Sequence, residues 1–204
     1  MVTGGKSHPT ADFGPALIRH WARRTGLHSC AQQPNQILSP HFQQHGSRCR
    51  MWVPPELDDP ICLHAPTRKS ISFFGGVRLK DGKLVMSRPN GMFDASTCWN
   101  FYRKLERCHR PGRKMVVIID NARYHHASLH EGWREQVSEY FCLHFLPPYS
   151  PELNPIERVW KLVRRRCLHN RYFATLDNVI AAVEPIFQMW SRPNVTLQRL
   201  CGIL

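Results

Sequence analysis

The stretch from Phe141 to Trp160, Phe-Cys-Leu-His-Phe-Leu-Pro-Pro-Tyr-Ser-Pro-Glu-Leu-Asn-Pro-Ile-Glu-Arg-Val-Trp, constrains the fold of this 204-residue chain more than any other. It reads as a strand, an elbow stiffened by prolines, and the start of a helix. Upstream, the apolar run Met115-Val116-Val117-Ile118-Ile119 reads as a buried strand bounded by Pro111-Gly112 before it and a turn after it. That run ends in Asp120-Asn121. Two carboxylates, Asp120 and Glu157, therefore each stand where an apolar strand or its elbow gives out.

Charge narrows the choice of partner. The chain carries 28 Lys plus Arg against 15 Asp plus Glu, a formal net charge of +13, and a surplus of that size favours a polyanion, nucleic acid first. An apolar content of 42% suffices for the core of one domain. The eight cysteines (Cys30, Cys49, Cys62, Cys98, Cys108, Cys142, Cys167, Cys201) are scattered and contain no Cys-x-x-Cys pair, which suits reduced thiols better than a disulfide framework. The first ten residues lack an apolar segment of signal-peptide length, and no run reaches membrane-spanning length. The expectation is a soluble, cytoplasmic chain without membrane contact.

Taken in order, residues 1–40 are interrupted by Gly4-Gly5, Pro9, Pro15, Pro34 and Pro40 and show no sustained period. Ala16 to Arg24 suits a short helix; the rest is left unassigned and expected to be poorly ordered, with the folded domain spanning residues 41–204. Strand-like text runs from Arg48 to Pro55 and from Lys69 to Leu79. Lys80-Asp81-Gly82-Lys83 then makes a hairpin turn, and Leu84-Val85-Met86 returns as its partner strand. Asp94 caps a helix with Cys98, Phe101, Tyr102, Leu105 and Cys108 on one face, ended by Arg110-Pro111-Gly112. A second helix is expected over 127–139, with Leu129, Trp133 and Val137 at four-residue intervals. A last one, Leu176 to Trp190, buries Val179, Ile180, Val183, Ile186, Phe187 and Trp190 and is kinked at Pro185. Hairpin strands, helix, strand, helix, strand, helix is the order of an α/β sandwich.

The text Val-Val-Ile-Ile-Asp-Asn-Ala-Arg-Tyr-His (116–125) and Leu-Pro-Pro-Tyr-Ser-Pro-Glu-Leu-Asn-Pro-Ile-Glu-Arg-Val-Trp (146–160) resembles the catalytic domain of the DDE transposases, in the insertion-sequence branch of the mariner-type family. His-Phe-Gln-Gln-His-Gly (41–46) and Ala-Pro-Thr-Arg-Lys-Ser (65–70) support it, and the likeness runs from about His41 to about Trp190. The resemblance implies a ribonuclease H-like fold, a mixed sheet with helices on both faces. It implies two divalent ions, Mg²⁺ or Mn²⁺, cleavage and joining of DNA strands at transposon ends and target, and a possible homodimer. It also implies a DNA-reading module and a first catalytic strand ahead of His41, that strand ending in an aspartate. Ile37-Leu38-Ser39-Pro40 stands there instead. The chain is accordingly expected to be truncated or frame-damaged at its front, with a degraded first strand, an incomplete metal site and impaired chemistry.

Phosphoryl transfer on DNA asks little covalent chemistry of protein and much of two ions about 3.5–4 Å apart, and such hard ions take carboxylate oxygen. Asp120 and Glu157 are the candidate catalytic, metal-binding residues. Each has a plainer alternative. Asp120-Asn121 also suits a turn stabilised by its own side chains, and Asn154, Pro155 and Glu157 also spell a capping box. Downstream of Glu157, Lys161 and Arg164 share its helix flank, with Arg165 a little further round, and would bring a phosphate backbone to the acidic edge; the plainer alternative is a solvated helix end. His125, matched by a family histidine, is a candidate DNA contact or support for Asp120. Asp58, Asp59 and Asp81 are poorly placed to replace the missing carboxylate. A zinc site from His41, His45, Cys49, Cys62 and His64 fits no common finger spacing. Against the enzyme stands a different class of function, a DNA-binding or subunit-interaction remnant using its basic surface alone.

Overall fold

The computed structural model describes residues 32–38, 40–44, 67–148 and 153–202. Its strands are β1 Gln32–Leu38, β2 His41–Gln43, β3 Ser70–Ser72, β4 Phe74–Arg78, β5 Leu84–Ser87, β6 Lys114–Ile119 and β7 Phe141–Phe145. The α-helices are α1 Ala95–Glu106, α2 Glu131–Gln136, α3 Ile156–Val163, α4 Leu176–Trp190 and α5 Val195–Cys201. Five strands form one mixed sheet in the order β5-β4-β1-β6-β7. Pairs β5-β4 and β4-β1 are antiparallel, β1-β6 and β6-β7 parallel. β2 and β3 make a separate antiparallel ribbon.

Period-two alternation splits the core between the two faces of the sheet. Along β6, Met115, Val117 and Ile119 face α1, whose Cys98, Phe101, Tyr102 and Leu105 they meet together with Trp133 and Phe141. Ile118 points the other way, onto Leu146 and Leu153. On that second side Val77 and Leu84 pack against Val159 and Trp160 of α3, Val183 of α4 and Leu197 of α5. The expected layering, a mixed sheet between helices, is present.

The first strand departs from expectation. Residues 32–38 form a strand at the centre of the sheet, although Gln-Gln-Pro-Asn-Gln-Ile-Leu lacks the apolar run of a strand buried on both faces. Pairing supplies what composition does not. Pro34 is tolerated because β4 pairs with β1 from Asn35 onward, so position 34 lies where a single ladder runs. The strand's backbone is thus in place, and Leu38 is its last residue.

Local chemistry explains most other elements. Asp94 accepts the Thr97 N–H at 2.7 Å, and Thr97 Oγ1 accepts the Asp94 N–H at 3.0 Å, a reciprocal cap that opens α1 where expected. Thr175 and Asn178 do the same for α4, at 3.3 and 3.1 Å. Thr175→Ala should remove one of these bonds and cost about 1 kcal/mol, read in urea as a lowered midpoint with an unchanged slope. The Asp-Gly turn has a second use. Gly82 has φ +69°, and a Cβ there would stand 2.2 Å from Asn194 O and 2.4 Å from Gln198 N, so the hairpin tip seats on the start of α5. Asp81 O accepts the Asn194 N–H at 2.8 Å, and the Asp81 carboxylate is held by Arg78 at 2.6 and 2.8 Å. Asp81 is therefore structural, not a substitute metal ligand.

The helix expected over 127–139 is broken. Two 3₁₀ turns, Arg123–His126 and Ser128–His130, precede a six-residue α2. His130 is buried, with Nε2 3.0 Å from Tyr124 O, which pulls this segment inward and leaves Leu129 53% exposed. Helix α4 matches its expected bounds and runs through the exposed Pro185. The short α5, with Leu197 and Cys201 as its buried residues, carries too weak a period to read from sequence. The 48–55 stretch, the Ala16–Arg24 helix, Asp58, Asp59 and four of the five proposed zinc ligands (His45, Cys49, Cys62, His64) lie outside the described residues. Cys98, Cys108, Cys142, Cys167 and Cys201 are free thiols.

Candidate active site

The site lies where β6 and the elbow after β7 are tied together. Leu146 N–H donates to Ile119 O at 2.8 Å, and Asn121 Nδ2 donates to Leu146 O in return. Ile118, Leu146 and Leu153 then pack beneath, which carries the chain back over the sheet into α3. Asp120 closes β6 and Glu157 stands in the first turn of α3. The pair shares one charged environment: Asp120 is among the groups that oppose ionisation of Glu157.

The two acids differ in environment. Around Asp120 burial opposes the charge, but the His125 contact and the Ala122 N–H outweigh it and hold this carboxyl below the usual aspartate range. Ala122 N–H donates to Asp120 Oδ1 at 3.0 Å, the side-chain turn anticipated for Asp-Asn. Around Glu157 burial dominates and pushes the carboxyl up, with Asp120 adding to it, while Arg164 and Lys161 pull the other way. Environments that drive two carboxyl groups apart are a mark of acidic functional sites.

Stability should follow those directions. A depressed Asp120 stabilises the fold above the ordinary aspartate range, and the contribution disappears as pH falls through its depressed value. A raised Glu157 costs stability as pH climbs from the ordinary glutamate range to its raised value, and the full cost is present above that value. At pH 7, Asp120→Asn should therefore lower Tm and Glu157→Gln raise it. On acidification the Glu157→Gln gain should vanish before the Asp120→Asn loss does, as thermal scans from pH 7 to pH 3 would read.

The capping-box alternative for Glu157 is not the arrangement seen. Helix α3 begins at Ile156 with Pro155 at its cap and no side-chain cap bond, and Glu157 donates its backbone N–H to Asn154 O at 3.0 Å. On the same flank Arg164 lies with its guanidinium carbon 5.7 Å from the centre of the Phe42 ring, beside the β2 ribbon. Lys161 and Arg165 are exposed. Arg165 falls in a π-helical turn, Arg164–Leu168, that widens the end of α3.

His125 requires a correction. Its ring is 1% exposed, so it is not presented to a DNA backbone. It lies inward, Nε2 3.3 Å from Asp120 Oδ1 and Nδ1 2.5 Å from the Tyr102 hydroxyl. Sequence reading placed Tyr102 among core residues and missed this contact. The available signal was the hydroxyl, since a tyrosine inside an apolar stripe needs a polar partner.

Parallel pairing fixes what stands beside Asp120. Gln36 pairs with Ile118, so two residues further along each strand Leu38 is level with Asp120. Across the other edge Leu38 pairs with Gly75, whose missing Cβ would meet the Trp160 ring of α3 at 2.3 Å. The resemblance calls for a carboxylate at position 38, and the residue is leucine. Among the described residues no group of three or more His, Cys, Asp or Glu side chains is arranged to hold an ion. Two carboxylates are suitable donors for Mg²⁺ or Mn²⁺, but the set does not fit a two-ion centre.

Residues 40–180 match the family described as DDE superfamily endonuclease. A protein of Sinorhizobium fredii (strain NBRC 101917 / NGR234), described as the uncharacterized protein y4pE/y4sA, is 39% identical over 69 residues, 34% of this chain and 47% of that protein. Among solved structures, the Mos1 strand transfer complex superposes with a TM-score of 0.65 at 15% identity, covering 98% of this chain and 62% of the other. The catalytic domain of Mos1 mariner transposase gives 0.56 at 13% identity, covering 98% and 91%. The Mos1 mariner paired end complex with Mn gives 0.64 at 16%, covering 98% and 62%. The chain therefore spans about half the length of its curated relative and about three fifths of the larger Mos1 chains. Among the described residues no helix is long and apolar enough to cross a membrane.

Proposed function

Because this chain belongs to the DDE superfamily endonucleases, we propose that it is an insertion-sequence transposase domain of ribonuclease H-like architecture, acting on DNA in the bacterial cytoplasm. Its ancestral chemistry is divalent-metal-dependent cleavage and joining of DNA strands, impaired here by the loss of one carboxylate. The observation that carries this reading is the placement of Asp120 just after β6 and of Glu157 in the first turn of α3, with Asp120 among the charges that oppose ionisation of Glu157. Support also comes from the mixed strand order, with β1 central, antiparallel to β4 and parallel to β6.

In this reading Asp120 and Glu157 are the remaining metal-binding carboxylates of a set of three. Lys161, Arg164 and Arg165 take the DNA backbone, Lys161 and Arg164 close enough to Glu157 to favour its charged form. His125 acts from inside, on Asp120. A homodimer would bring two such sites to paired transposon ends. Leu38, level with Asp120, favours a second reading, a DNA-binding or subunit-interaction remnant without catalysis.

A supercoiled-plasmid assay with Mg²⁺ and with Mn²⁺ separates the two. The impaired enzyme binds DNA and nicks it slowly, and Asp120→Ala or Glu157→Ala abolishes the nicking. Binding with no nicking at any ion concentration selects the remnant; nicking that survives both substitutions contradicts the assignment of the site.

A further inference from the structure

We propose that Tyr102 is a positioning residue: its hydroxyl fixes His125 in the tautomer whose Nε2–H faces Asp120, and so sets how that carboxylate is presented. The proposal deepens the reading of Asp120 as a functional carboxylate and rests on it.

Three buried groups form the chain of contacts. Tyr102 is 0% and His125 1% exposed, and the hydroxyl lies 2.5 Å from Nδ1. Cys98, one turn earlier on α1, puts its sulfur 3.3 Å from the same nitrogen. Burial raises the Tyr102 hydroxyl above its ordinary range and the Cys98 thiol to about 12, so both keep their protons. A protonated hydroxyl can donate to a ring nitrogen or accept from it; because Nε2 faces the Asp120 carboxylate, the ring proton belongs on Nε2, and Nδ1 is left to accept from the Tyr102 hydroxyl. The opposite tautomer would aim the Nε2 lone pair at Asp120 Oδ1 across 3.3 Å, lone pair against carboxylate.

The Nε2–H contact to Asp120 is long, and Nε2 has no better-aligned partner among the described residues. A buried donor in that position holds on to whatever acceptor is within reach. Asp120 Oδ1 then receives both Ala122 N–H and His125, while Oδ2, on a side chain 38% exposed, has no protein partner among the described residues. One oxygen is tied inward and the other is left for a ligand. Tyr102 is itself clamped: Trp133 stacks on it at 6.0 Å and 9°, and His130 meets it edge-on at 5.5 Å.

The test is a long-range ¹H–¹⁵N spectrum of the histidine rings at pH 8, with His125 assigned by loss of its signals in His125→Gln. The wild-type protein should show one His125 tautomer, protonated at Nε2. Tyr102→Phe removes only an oxygen and keeps the stacking on Trp133. It should release the ring, giving a second tautomer or exchange-broadened nitrogens, together with a shifted Ala122 amide and unchanged amides in α4. A wild-type ring protonated at Nδ1, or a Tyr102→Phe spectrum identical to wild type at His125 and Ala122, overturns the proposal. Should Tyr102→Phe fail to fold, the wild-type tautomer decides by itself. The readout is independent of DNA cleavage, so the two failures are distinguishable: an inactive protein whose His125 is Nε2-protonated and released by Tyr102→Phe would keep the Tyr102–His125 contact and deprive Asp120 of the functional role on which the proposal rests.

Discussion

Leu38→Asp is expected to raise Mn²⁺ affinity by about a hundredfold or more and to convert slow or absent plasmid nicking into a readily measured activity. The magnitude follows from ligand chemistry. Losing a mere outer partner of a metal ligand costs about 10–100-fold in affinity or activity, and a carboxylate at position 38 would be a direct ligand. Backbone geometry says the substitution reaches the right place. Leu38 is level with Asp120 by the β1–β6 register and is paired with Gly75 of β4. Leu38→Asn, similar in size to aspartate but without charge, should gain neither property. If Leu38→Asp folds and binds Mn²⁺ no better than wild type, position 38 is not the vacated ligand site.

The second large effect concerns α3, which carries Glu157. Trp160 is fully buried, with ring centroids of Phe42 and Phe187 at 6.3 and 6.4 Å, and its ring lies flush on the bare backbone of Gly75. Trp160→Ala should cost about 3–5 kcal/mol, the range for a buried aromatic truncated to alanine. That is a large share of a total stability of about 5–15 kcal/mol, and should appear as a drop in Tm of roughly 10 °C or more. Gly75→Ala fails for the opposite reason, because its Cβ would stand 2.3 and 2.5 Å from two carbons of the Trp160 ring. Overpacking of that kind costs about 1–3 kcal/mol. Since one substitution opens the space the other needs, the double variant should be more stable than the sum of the two losses predicts. Simple additivity would mean that the ring and the glycine do not touch.

Much of this was legible before any coordinates. Strand β6, the hairpin at Asp81-Gly82, the Asp94 cap and helix α4 all carry strong local signals: an apolar run, a residue that tolerates positive φ, a side chain that caps, a sustained helical period. Strand β1 carries none of them. Its seven residues include Pro34 and two glutamine side chains before it, and they form a strand because β4 and β6 pair with them on either side, a long-range cause that no local pattern reports. The 127–139 segment failed through a histidine. Trp133 and Val137 kept the expected four-residue spacing and are buried, but His130 also turned inward to a backbone carbonyl and broke the helix into turns.

Site residues divided along the same line. Asp120 and Glu157 stand out in the sequence because one follows the apolar run of β6 and the other opens α3 after a proline-rich elbow. The inward orientation of His125 was not, because an exposed turn and a buried one have the same text. What turns it inward is α1, whose Tyr102 and Cys98 offer the polar atoms an imidazole needs in an apolar core.

Titration of ¹⁵N-labelled protein with Mn²⁺ tests the meeting of Asp120 and Glu157 most directly. Paramagnetic broadening should strike the amides of Ala122, bonded to Asp120, and of Glu157 at the same ion concentration, and Asp120→Asn should weaken both together. Broadening of one amide without the other, or a Glu157 response untouched by Asp120→Asn, would show that the two carboxylates do not serve a common site.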